Sequence, residues 1–348
     1  MRTGFRVGLV LASIAGGAAG LLPSASAQND PAPRIDVFAE QPTSQAATAV
    51  TLPRGVVEAA SAYETYLRRA AAIRVAFRDG AAVSEAMNVG EAYQPEQMEE
   101  GLIAYAALIA LEDQRFVRGV RNAVQGPEDG ERAADSLLAD PRSVVAIPGA
   151  GDAAALVRTV LREEGGQLFE TGRAVKQSAY DVQHQAWSKQ TVPDGAARLA
   201  HAKLLATAAF APAPEDVSRL LRSAADFKDR RAEDGRESTA QSSVIQRGLA
   251  LAALAVLGQA GDERRLAPIL SEPNGAYCMK MAKLNLYQCL AVAGPHYEDI
   301  FCLGQHALMD TGQCVAGEDP GSMQSSLPSQ RADRDGVRVP VAENSYAR

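Results

Sequence analysis

The chain has 348 residues, a formal net charge of −7 and 5% aromatic residues. An acidic chain without a basic stripe lacks the electrostatic footprint needed for nucleic acid or anionic membrane surfaces, which excludes both as partners. Between its polar ends lie about 260 residues, enough for one large domain or two modest ones.

Residues 1–27 carry the three parts of an export signal. Arg2 and Arg6 precede an apolar, small-residue run from Val7 to Ala19, too short to span a bilayer. Ala25-Ser26-Ala27 then offers the small side chains a signal peptidase accepts. Cleavage after Ala27 predicts a mature protein that begins at Gln28, carries no transmembrane anchor, and is periplasmic or secreted from a bacterial cell. Losing two arginines moves the charge from −7 to −9.

Residues 28–54 and 315–348 are polar and contain no apolar period able to offset their ordering entropy, so disorder is expected in both. Residues 55–314 form the expected helical domain, with 229–238 the best candidate for an internal boundary. The first helix carries Val56, Ala60, Tyr63, Leu67, Ala70, Ile73 and Phe77 on one face, at spacings of three and four. Pro95 suits the first turn of the next, which runs through Met98, Leu102, Tyr105, Ile109 and Leu111. Val144 to Ile147 is the single short strand candidate. Leu156, Val157, Val160 and Leu161 make a helix that Gly165-Gly166 is expected to stop. Beyond it, Leu168, Gly172, Val175, Ala179, Val182 and Ala186 form a seam suited to close packing. Asp194 caps a helix through Leu199, Leu205 and Phe210, ended by Pro212 and Pro214. A further helix carries Val217, Leu220, Leu221, Ala224 and Phe227.

The segment Ala250 to Leu270 is an Ala/Leu helix, a turn containing Gly261 and Asp262, then Arg264 and a helix bearing Pro268. Asp262 can cap the second helix while Arg264 reaches back, and Gly261 permits the turn. A shift of 149 residues places Asp113 and Arg115 on Asp262 and Arg264, and Asp140-Pro141-Arg142 is a third such pair. Unit 250–270 resembles short bacterial HEAT-like repeats, although Pro268 falls about one residue late. The resemblance implies stacked antiparallel helical hairpins; without it the same pattern describes an irregular helical bundle. Either way the class is all-α.

Cys278, Cys289, Cys302 and Cys314 straddle Gly294-Pro295, with nearly equal arms on the two sides. At 1.5 Å per helical residue this pairs Cys278 with Cys314 and Cys289 with Cys302, two nested disulfides across a helical hairpin. Zinc is the alternative, because His296 and His306 lie nearby. The absence of a C-x-x-C pair and an oxidising compartment favour bridges. No metal and no cofactor is expected.

No nucleophile elbow, P-loop, dinucleotide fingerprint or zinc-protease motif occurs. The one polar cluster with binding character is Lys176 to Trp187. Read as a helix, it places Lys176, Tyr180, Gln183 and Trp187 on one face, with Asp181 and His184 adjoining, Asp181 able to orient His184. Core packing is the plainer use of such residues, but the only Trp beside Tyr and His can also bind a partner. The expected function is a non-catalytic exported protein that mediates protein or envelope interactions. A cell-envelope hydrolase with acidic residues, or a helical small-ligand carrier, are the alternatives.

Overall fold

The computed structural model describes residue 50, residues 52–226 and residues 242–317. The export signal, most of the two polar ends and the boundary candidate at 229–238 lie outside the described residues. Helix predominates among the described residues and no strand occurs among them, which makes the protein all-α.

Thirteen α-helices follow one another among the described residues. They are α1 (Arg54–Ala71), α2 (Gly80–Gly90), α3 (Pro95–Ala110), α4 (Gln114–Asn122), α5 (Pro127–Ala139), α6 (Ala150–Val182), α7 (Gly195–Leu205), α8 (Pro214–Asp226), α9 (Ser243–Val256), α10 (Glu263–Leu270), α11 (Pro273–Val292), α12 (His296–Cys302) and α13 (Asp310–Ala316). At the centre lies α3. Thirteen of its sixteen residues are buried, so it has no solvent face and must be enclosed. It packs on α1, α9 and α11. Its neighbour α9 is equally apolar, with Leu249, Leu251 and Leu254 fully buried.

The D-x-R pairs all cap helical turns. Asp113 accepts from the backbone N–H of Arg115 and Phe116 at the start of α4, and Asp262 accepts from that of Arg264 at the start of α10. Asp140 caps a 3₁₀ turn, Pro141–Ala146, by accepting from Arg142. In each pair the arginine side chain folds back to its aspartate, at 3.8, 3.9 and 2.9 Å respectively. Thus α3–α4 and α9–α10 are helix–turn–helix units with their aspartates in equivalent positions. The residue that takes the left-handed turn before α10 is Gly258, at φ 69°, rather than Gly261.

Several boundaries differ from the periodic reading, each for a local reason. Helix α1 ends at Ala71, and Phe77 reaches the core from the connection to α2. The strand candidate at 144–147 falls mostly within the 3₁₀ turn fixed by Asp140 and Pro141. Helix α7 ends at Leu205. Phe210 lies beyond it, tied to Gln97 through both its N–H and its carbonyl, while Pro214 opens α8. Residues 315–316 continue α13 and are buried.

The largest difference is α6, which passes straight through Gly165-Gly166 and is about 50 Å long at 1.5 Å per residue. Gly165 and Gly172 serve packing. A Cβ on Gly165 would lie 2.5 Å from Gly312 O, and one on Gly172 would lie 2.7 Å from Gly304 O. The final helical rod therefore lies antiparallel to α6 with the two backbones in contact, which only glycine allows.

That rod is α12 and α13 joined by a π-helical segment, Leu303–Met309. Both expected disulfides are present, Cys278–Cys314 with Cα atoms 5.8 Å apart and Cys289–Cys302 at 5.7 Å. Between the staples α11 spans eleven residues and the opposite arm spans twelve. One surplus residue would rotate an α-helix by about 100° and put the second cysteine out of reach. The i→i+5 turn absorbs it.

Candidate functional site

The C-terminal end of α6 and the turn between α11 and α12 meet at a groove of about 390 Å³. Its floor is the Cys289–Cys302 disulfide, and its walls include Tyr180, Val292, Tyr297 and Phe301. Tyr180 and Phe301 meet edge to face, with centroids 6.2 Å apart. Lys176 lies 5.0 Å over the Phe301 ring and donates to Gln305 Oε1 at 2.8 Å. Most tyrosines and phenylalanines of the helical core are buried, but Tyr180 is 47% exposed and Val292 is 84% exposed.

The turn holding this groove is braced from α7. Arg198 pairs with buried Asp299 at 2.5 Å and donates to the carbonyls of Leu290 and Ala293 at 2.5 and 3.0 Å. A guanidinium at this end of α11 satisfies acceptors that the helix leaves open and suits its dipole. The chain after α6 adds a second brace: Val192 N–H donates to Gly294 O, and the N–H groups of His296 and Tyr297 donate to the carbonyls of Gln190 and Ser188.

The residues singled out from sequence divide into two groups, because α6 ends at Val182. Tyr180 lines the groove, and Lys176 borders it over the Phe301 ring. Asp181 is exposed and accepts from Gln177 Nε2 at 3.0 Å, not from His184. His184 and Trp187 follow the helix in a turn rather than on its face. His184 is exposed, whereas Trp187 is half-buried, with its ring 6.4 Å from His296 and its Nε1 donating to Gln185 Oε1 at 2.6 Å. Sequence reading passed over Val292, Tyr297 and Phe301. The i, i+4 spacing of Tyr297 and Phe301, just after the Gly294-Pro295 turn, was the available signal.

Burial shifts several ionisable groups elsewhere. The carboxyls of Glu91, Glu99 and Glu164 are each pushed up to about 7, chiefly by desolvation, and that of Asp299 to about 6 despite Arg198. Glu164 accepts from the hydroxyls of Tyr63 at 3.0 Å and Tyr105 at 2.7 Å. Burial brings the Lys283 ammonium down to about 7; it donates to Glu91 O and lies 3.7 Å over the Tyr93 ring. None of these groups lines the aromatic groove. Among the described residues no three His, Cys, Asp or Glu side chains are grouped to hold a metal ion, and no helix is long and apolar enough to cross a membrane. All four cysteines are engaged in disulfides.

No family model matches the chain, and no curated protein or solved structure is significantly similar to it.

Proposed function

We propose that this is an exported, non-catalytic helical protein that holds a protein partner of the cell envelope through the Tyr180–Phe301 groove. The partner contributes a short segment with aliphatic side chains, which pack against the rings of Tyr180, Tyr297 and Phe301. The observation that carries this reading is the exposure of Val292 and Tyr180 around a concave, disulfide-floored site in a chain that buries most of its other large apolar residues. Export is supported by the two disulfides, which persist in oxidising compartments.

A photo-crosslinking residue at Tyr180, compared with one at Leu204, tests it in intact cells; Leu204 is 63% exposed and lies outside the groove. A discrete adduct from position 180, absent from 204 and lost on Val292→Asp, is the expected result. Equal labelling from both positions, or none, overturns the binding reading. Turnover of an envelope polymer that disappears in Glu99→Gln replaces it with the hydrolase.

A further inference from the structure

A second cavity, of about 500 Å³, opens among α3, α6, α9, α11 and α13, far along the hairpin from the aromatic groove. Its walls are mainly apolar, including Leu102, Leu161, Ile245, Met281 and Ala282, and the Cys278–Cys314 disulfide lines it. The volume falls within the roughly 300–1,000 Å³ of small-molecule sites, which combine apolar walls with a few polar anchors.

Two of its polar groups are donors that lack a partner among the described residues. Gln313 on α13 is 4% exposed, and no hydrogen bond reaches its Nε2 among the described residues. An orphaned buried donor is costly, so a ligand that accepts from it gains affinity. Arg158 on α6 makes no ion pair among the described residues, and burial together with Arg162 one turn on lowers its hold on its proton. It is a part-exposed cation at the rim of an apolar cavity, with no counter-ion among the described residues. The carboxylates on the walls are engaged. Asp310 accepts from His306 Nδ1 at 2.8 Å, Gln305 Nε2 at 3.1 Å and Asn285 Nδ2 at 3.4 Å, and buried Glu272 has partners of its own. Among the described residues, the cavity therefore offers an unpaired cation at its rim and an unpaired donor beside apolar walls.

We propose that this cavity binds a small amphipathic carboxylate, with its carboxylate on Arg158, its hydrocarbon against the leucine and methionine walls, and a second acceptor oxygen on Gln313 Nε2. The proposal is independent of the partner-binding reading, since the two sites share no lining residue.

Isothermal titration of the full mature protein with decanoate, decanol and 10-hydroxydecanoate tests it. Decanoate should bind one to one and at least tenfold more tightly than decanol, and Arg158→Gln should remove that difference. The added hydroxyl of 10-hydroxydecanoate should strengthen binding several-fold, a gain that Gln313→Leu abolishes while leaving the free protein as stable or more so. Tyr180→Ala should leave all three affinities unchanged. Absence of saturable binding, equal affinity for decanoate and decanol, or native decanoate affinity in Arg158→Gln overturns the proposal. Failure of the hydroxyl to add affinity removes Gln313 from it. Loss of binding in Tyr180→Ala with retention in Arg158→Gln moves the ligand to the groove and also overturns it.

Discussion

The α3–α9 core and the α11–α13 hairpin solve the same problem by different means. The core helices are largely enclosed, and Ala and Leu packing dominates their contacts. The hairpin lies at the edge and exposes Tyr277, Leu284 and Val292, so part of its apolar surface contributes no burial. There the chain substitutes covalent staples, glycine-mediated backbone contact with α6 and the Arg198 brace. With its inner face, including Leu286, Leu290, Leu303 and Leu308, buried in the core, the hairpin displays aromatic and apolar side chains on its outer face in concave sites. Both candidate binding sites lie on it, one at each staple.

Breaking the outer staple is expected to have the largest effect. Cys278→Ala with Cys314→Ala opens a loop of 36 residues and should cost roughly 4 kcal/mol, against roughly 3 kcal/mol for the 13-residue loop of Cys289 and Cys302. Guanidinium unfolding of the two double variants measures this. If neither changes the midpoint, packing rather than cross-linking holds the hairpin and the contrast fails.

In the core, Leu251→Ala should cost about 3 kcal/mol, because a fully buried leucine leaves a cavity in an enclosed helix. Leu284→Ala on α11, where the side chain is 44% exposed, should cost well under 1 kcal/mol in the same denaturation assay. Similar losses at the two positions would mean that the hairpin is buried by something further.

Lowering the pH sharpens the comparison through the buried carboxyls. Glu91 and Glu99 sit near 7 against an ordinary 4.5, so the folded protein binds more protons than the unfolded chain between those values. Their stabilising contribution is full below 4.5 and is lost as pH rises through 7; Asp299, near 6, acts in the same sense. Lys283 is depressed to about 7, so its contribution is present above its ordinary 10.5 and lost as pH falls through 7, leaving the lower window to the carboxyls. Stability should rise by on the order of 1–3 kcal/mol between pH 7.5 and 5.5. Thermal midpoints measured across that range check the sign, and Glu99→Gln should flatten the slope.

Loss of a cap should cost less than loss of a staple or of a core leucine. Asp113→Ala and Asp262→Ala should each cost about 1 kcal/mol, as loss of a side-chain acceptor at a helix start does. Matching losses support equivalent turns in the two helix–turn–helix units. A loss at one position only would separate them.

Sequence alone determined the features that depend on neighbours in the chain. The apolar period gave the helical class, Pro95, Asp194 and the D-x-R aspartates gave helix starts, and equal arms about Gly294-Pro295 gave both disulfides. Each is a matter of helical rise, capping geometry or spacing, which act over a few residues or along one hairpin. Tertiary structure decided the rest. Gly165-Gly166 reads as a stop, yet α6 continues because a neighbouring backbone packs on its glycines and compensates their low helix propensity. The Lys176–Trp187 cluster reads as one face, yet the turn after Val182 sends Trp187 toward His296 and leaves Tyr180 to meet Phe301, a residue 121 positions away. Whether Gln313 and Arg158 find partners depends on which helices meet around them, and no local pattern records that. Side chains from distant segments become a site only when packing brings them together, so both sites waited for the fold.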